Sequence, residues 1–114
     1  MNSKTFNSYA NSLMSQASKV RNTKMEEYEA TQDRLANFRK AANLEGTTVP
    51  AAIRGMMAKH TVSIYDMIET EFGCGHELLV DLPHSTELWR EKLVDQINYL
   101  LLLYASVREE RDGV

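Results

Sequence analysis

The residues in the middle of this chain that are best suited to chemistry are Lys59 and His60. His60 follows Met57 by three residues and precedes Ile64 by four, so helical spacing places it in an apolar stripe and predicts that it is buried or nearly so. A buried imidazole needs hydrogen-bond partners and resists protonation unless an anion stands nearby. His60 is therefore either a core histidine with structural partners or a ligand contact.

Lys59 lies on the flank of the same stripe, in line with Ser63 and Asp66. Its methylene groups can cover apolar surface while the ammonium group reaches water or the rim of a pocket. Two interpretations stay open from spacing alone. Lys59 and Asp66 are surface charges on a solvated flank, or Lys59 contacts an anion.

A line of acidic and amide side chains runs further along the chain, where Glu87, Glu91, Asp95 and Asn98 follow at four-, four- and three-residue spacing. This line faces away from the main apolar stripe of its helix. Carboxylates and an amide in register could hold Mg²⁺, with water and phosphate oxygens completing the coordination shell. The alternatives are a solvated acidic face or a face covered by another helix or subunit.

A second group of acids includes Glu27, which shares a helical line with Arg34. Carboxylates on facing helices are how helical bundles build metal sites. Acid clusters of this kind are also common on exposed helices, so spacing alone leaves both possibilities open.

Two apolar stripes in the first part of the chain predict the helices that must position these groups. No glycine or proline occurs from Asn2 to Glu45. A polar patch at 21–23 separates the stripes, and we expect the first helix to end there and a second to follow, with a kink between them. The stripes consist of Phe6, Tyr9, Ala10, Leu13, Met14, Ala17 and Val20, and of Met25, Tyr28, Leu35, Phe38 and Ala42.

Local start and stop signals predict two more helices. Gly46 can cap the second helix, and Thr47 or Thr48 can cap a third with Pro50 in its first turn. The third helix should run from about Val49 to Phe72, because two glycines in the stretch 73–76 break the pattern. Pro83, Ser85 and Thr86 mark the approach to a long fourth helix, whose wide apolar face is formed by Leu93, Val94, Ile97, Leu100, Leu101, Tyr104 and Val107.

These elements predict an all-α bundle of about four helices that forms one domain over residues 1–114. The composition, 43% hydrophobic and 25% charged, is that of a globular chain. A formal charge of −3 argues against a general nucleic-acid binder, which needs a basic footprint. The single cysteine excludes an intrachain disulfide, and no apolar run is long enough to cross a membrane, so we expect a cytoplasmic protein.

Four motifs together resemble those of a known family. They are Lys24-x-x-Glu27-Tyr28, Asp33-x-x-Ala36-Asn37-Phe38, Met57-Ala58-Lys59-His60 and Leu93-x-Asp95-x-x-Asn98-Tyr99-Leu100. In type and order, over 21–104, they resemble small phage-associated proteins of the nucleotide-modification-associated helical domain family. More distantly, they are similar to the MazG-type all-α nucleotide pyrophosphatases. Phosphate-loop, serine-elbow and His-Glu-x-x-His signatures are absent from the sequence.

The resemblance implies a nucleotide-binding protein, with a nucleotide or a nucleotide-derived small molecule as its partner and homo-oligomers as its assembly. It implies Mg²⁺-dependent hydrolysis of a nucleoside triphosphate, or a non-catalytic protein that sequesters a nucleotide. Lys59, His60 and Ser63 stand where the pyrophosphatase pattern has an acidic pair, which favours the non-catalytic alternative. The implied catalytic residues and metal ligands are Glu27, Glu91 and Asp95, and the implied nucleotide contacts are Arg34, Asn37, Lys59, His60 and Asn98.

Overall fold

The computed structural model describes residues 1–28, 33–73 and 83–113, apart from the side chains of Glu27 and Tyr28. Over these ranges the chain forms α1 (Ser3–Tyr28), α2 (Ala36–Glu45), α3 (Val49–Phe72) and α4 (Thr86–Asp112), and no strand occurs in them. The prediction of an all-α bundle of about four helices is confirmed.

The predicted bounds of α3 are confirmed at both ends. The Thr48 side chain accepts a hydrogen bond from the Ala51 backbone N–H at 3.3 Å, and Pro50 occupies the first turn. Gly46 ends α2 at φ 67°, a left-handed conformation that glycine adopts without steric cost. Gly73 follows the last residue of α3, and the rest of the predicted break at 74–76 lies outside the described residues.

The predicted boundary between the first two helices is wrong. α1 continues through the polar patch at 21–23 to Tyr28, and the next helix starts only at Ala36. The patch contains no glycine or proline. The Thr23 hydroxyl donates a hydrogen bond to the Lys19 backbone carbonyl, one turn earlier in the same helix. A local turn precedes α2 instead, where the Asp33 carboxylate accepts the Leu35 N–H at 2.9 Å.

α3 lies between α2 and α4 and carries the centre of the core. Ile53 is fully buried, and the cluster around it is completed by side chains of all three helices. Arg39 of α2 also donates to the Glu109 carboxylate of α4 at 2.8 Å and pairs with Asp33. The residues of this cluster are Leu35, Ala42, Val49, Ala52 and Ile53, with Phe38, Ala41, Met57, Tyr99, Leu102 and Leu103 packed against them.

α1 packs against α4 through the middle and second half of its length. Ala17 is fully buried at this contact. Only part of the predicted α1 stripe is enclosed, because Phe6, Tyr9 and Met14 are 60%, 64% and 49% exposed. The face predicted for the fourth helix is likewise covered only in part, since Leu100, Leu101 and Tyr104 are exposed.

A polar contact joins the end of α3 to the start of α4. The Trp89 indole N–H donates to the Glu71 carboxylate at 2.6 Å, and Glu71 is only 6% exposed. This bond satisfies a buried carboxylate that would otherwise be costly to desolvate. In the described part of the chain, no helix combines the length and apolar character that a membrane span requires.

Candidate functional site: a cavity with an aromatic wall and a cationic rim

A cavity of about 480 Å³ lies beside the contact of α1 with α4 and extends to α2 and α3. This volume falls within the range of small-molecule sites in proteins. The lining combines apolar, aromatic and charged side chains from all four helices and from the turn before α2. It consists of Val20, Arg21, Lys24, Arg34, Phe38, His60, Asp95, Asn98, Tyr99, Leu101, Leu102 and Ala105.

Tyr99 of α4 forms the centre of an aromatic wall in this cavity. The His60 ring lies 4.8 Å from the Tyr99 ring, centroid to centroid, at an interplanar angle of 40°. Phe38 meets Tyr99 edge-on, with 6.2 Å between the ring centroids and 78° between the ring planes. Three rings from α2, α3 and α4, tilted against one another, therefore line the cavity.

His60 is partly buried. It lies at the cavity wall because Tyr99 packs against it without covering it. His60 thus belongs to the cavity as well as to the packing between α3 and α4.

The rim of the cavity is cationic. Arg21 and Lys24 project from α1, one turn apart, and Arg34 joins them from the turn before α2. Asp95 is the one carboxylate among the described lining residues. Arg21 and Lys24 against the single Asp95 carboxylate of the described lining favour an anionic ligand.

Asn98 connects α1 to α4 at this cavity. Its side-chain amide donates to the Ala17 carbonyl at 3.2 Å, and its oxygen accepts from the Arg21 guanidinium at 3.3 Å. Both bonds are partly buried. Asn98 is therefore a positioning residue that holds α1 and aims the Arg21 side chain.

Burial and, to a smaller extent, the nearby Asp95 carboxylate raise the pKa of Tyr99. Both act in the same direction, because the phenolate would lose hydration and face a like charge. The phenol consequently stays protonated at neutral pH and keeps a hydrogen-bond donor in the aromatic wall.

The acidic line of α4 borders a second, smaller cavity of about 180 Å³ against α1. Glu91 and Asp95 line it, together with Glu87 and Arg90, whose side chains pair at 3.5 Å. α1 thus covers part of this line, as one of the sequence alternatives proposes. Within residues 1–28, 33–73 and 83–113, no three acidic, histidine or cysteine side chains converge on a point where a metal ion would sit.

The structure brings together four of the predicted site residues at the first cavity: Arg34, His60, Asp95 and Asn98. Glu91 borders the second cavity instead. Lys59 and Asn37 are exposed and do not line the first cavity, and the Glu27 side chain lies outside the described residues.

Arg21 and Lys24 are cavity residues that the sequence reasoning missed. A continuous first helix would have identified them, because they lie four and seven residues after Ala17, on the same helical face. With a helix end predicted at 21–23, Arg21 and Lys24 are not placed on the same helical face as Ala17.

No known family model matches this chain, and no curated protein or solved structure is significantly similar to it. The family resemblance of the four motifs therefore stays a prediction. The cavity itself carries the functional argument.

Proposed function

We propose that this protein binds a nucleotide in the first cavity, with the base on the aromatic wall and the phosphates at the cationic rim. One observation carries the proposal: a single cavity of about 480 Å³ joins the Tyr99 ring to Arg21 and Lys24. Nucleotides combine a flat aromatic group with a multiply charged anion, and this cavity offers a partner to each part.

The two parts of the cavity would contribute differently. Stacking on an aromatic side chain tolerates any base, so the wall supplies affinity rather than a choice of base. The Tyr99 phenol, kept protonated by burial, can donate to a base or sugar oxygen. The guanidinium and ammonium groups of the rim would fix the phosphates by charge-assisted hydrogen bonds.

Mg²⁺ would enter this site with the phosphates rather than as a resident ion. Protein sites for Mg²⁺ often supply one or two carboxylates and leave other positions to phosphate and water. Asp95 borders both cavities and is the carboxylate placed to meet such an ion, with Glu91 one turn away. A bound Mg²⁺ would offset phosphate charge and polarise the phosphoanhydride.

Calorimetric titration of the protein with ATP, adenosine and inorganic tripolyphosphate tests the proposal. ATP should bind more tightly than either fragment, because only ATP engages both the wall and the rim. Replacing Lys24 by alanine should weaken ATP binding about 5-fold while leaving adenosine binding unchanged.

Lys19→Ala is the matched control, because Lys19 is an exposed lysine on the same helix that does not line the cavity. Equal losses of ATP affinity in Lys24→Ala and Lys19→Ala would refute a specific rim contact. Absence of binding by all three ligands at millimolar concentration would refute the nucleotide site.

Hydrolysis is the second candidate function, and it rests on the position of Glu91 and Asp95 beside the proposed phosphate site. Incubation with nucleoside triphosphates and Mg²⁺ should then release pyrophosphate, and the double variant Glu91→Gln, Asp95→Asn should abolish release without unfolding the protein. ATP binding without pyrophosphate release would identify a binding protein. The excess of cations at the first cavity favours that outcome.

A further inference from the structure

The first half of α1 presents an apolar face that no other part of the described chain covers. Phe6, Tyr9 and Leu13 follow at three- and four-residue spacing and so share one face, with Met14 at its edge. Phe6, Tyr9 and Met14 are 60%, 64% and 49% exposed. Aromatic side chains in this number and register are typical of contact surfaces.

The accessible surface of the chain is larger than that of a typical folded monomer of its mass. The accessible surface is 8627 Å² for 13.0 kDa, whereas a folded monomer of this mass exposes about 6,300 Å². The radius of gyration is 17.1 Å, against about 13 Å for a globular chain of this length. The excess of roughly 2,300 Å² exceeds what one copy contributes to an interface of standard size, about 800 Å².

The charge pattern of α1 favours a second copy of this chain as the occupant. No charged residue occurs between Lys4 and Lys19, so the stretch 5–18 is an uncharged helical segment about 21 Å long. A twofold interface places the same patch on both partners, and charged patches of one sign repel when they meet themselves. An uncharged apolar face satisfies this requirement for self-complementarity.

We propose that two copies of this protein form a twofold-symmetric dimer in which the first halves of their α1 helices pack against each other. Phe6, Tyr9, Leu13 and Met14 form the centre of the interface.

Sedimentation velocity and light scattering of the full chain test this proposal. Wild-type protein should have twice the mass of one chain, and its thermal midpoint should rise with protein concentration. The double variant Phe6→Glu, Tyr9→Glu should weaken dimerisation about 100-fold or more, because it removes two aromatic anchors and sets like charges against each other.

The matched control is Val62→Glu with Tyr65→Glu on α3, where the original side chains are 59% and 69% exposed. This pair has the same chemistry and similar exposure but lies outside the proposed interface, so the control should remain dimeric. Circular dichroism verifies that both variants stay helical. Tyr9→Ser alone supplies a milder change if the glutamate pair impairs folding.

A wild-type chain that stays monomeric at all concentrations overturns the proposal and points instead to a different protein on α1. A dimer that persists in both α1 variants, or that dissociates in the α3 control, assigns the interface to another face and also overturns it. Neither outcome depends on nucleotide binding, because these measurements use the protein without ligand.

Discussion

The link between α1 and α4 at the cavity can be measured as a coupling energy between Arg21 and Asn98. The Asn98 side chain makes two partly buried hydrogen bonds to α1, at 3.2 and 3.3 Å. Each such bond contributes about 0.5–1.5 kcal/mol to the free energy of unfolding. Asn98→Ala also gains about 0.6 kcal/mol of helix propensity in α4, so the single variant should lose only about 1 kcal/mol.

A double-mutant cycle removes the propensity effect. Arg21→Ala should cost less in the Asn98→Ala background than in the wild type, and the difference, about 0.5–1 kcal/mol, is the energy of their bond. Urea unfolding supplies the four free energies, with Trp89 as the single tryptophan whose fluorescence reports the transition. A typical urea dependence of about 2 kcal/mol per molar makes the coupling a midpoint difference of about 0.3–0.5 M.

Lys19→Ala combined with Asn98→Ala is the control cycle. Lys19 lies on the same helix as Arg21, but its side chain is exposed and makes no bond to Asn98. Its effect should therefore add to that of Asn98→Ala. A coupling for Arg21 no larger than the coupling for Lys19 would refute the role of Asn98 as the residue that positions α1.

Two further predictions concern the contacts that hold the helices around the cavity. Replacing Glu71 by alanine should lower the free energy of unfolding by about 2–3 kcal/mol, because it leaves the Trp89 N–H without its acceptor. Glu71→Gln keeps an acceptor and should lower it less. Equal urea midpoints for the two variants would contradict this prediction. Hydrogen bonds from Arg39 hold the pKa values of Asp33 and Glu109 below their usual ranges, so the stability they contribute is present at neutral pH and is lost as pH falls below about 4. Thermal melts should show this acid loss in the wild type and a weaker one in Arg39→Ala; parallel pH profiles would disprove it.

The sequence predicts the parts of this fold that depend on local chemistry. The bounds of α3 follow from a threonine cap, an early proline and a terminal glycine, all within a few residues of the helix ends. The end of α1 has no such signal, because 21–23 is merely polar and polar residues continue a helix when no glycine or proline interrupts it. The predicted end of the first helix therefore lies near residue 21, whereas the helix ends at Tyr28.

The candidate site could likewise be predicted only in part from the sequence. Helical spacing places His60 in the apolar stripe of α3 and Asp95 and Asn98 on one line of α4, and all three line the cavity. Residue spacing does not show which flank of a helix meets a neighbouring helix. In the structure, α4 covers the side of α3 that carries His60. Lys59 lies about 100° around the helix and stays exposed. Arg21 and Lys24 can be assigned to the cavity only when α1 is treated as one continuous helix.

α1 connects the two proposals because one uninterrupted helix carries both surfaces. Its first half offers the uncharged face 5–18, and its second half supplies Arg21 and Lys24 to the cavity. Tyr9 and Lys24 are separated by about 22 Å along the helix axis, which is too far for either side chain to touch the other's partner. A change in nucleotide affinity on dimer dissociation would therefore have to pass through the contact of α1 with α4, where Asn98 holds Ala17 and Arg21.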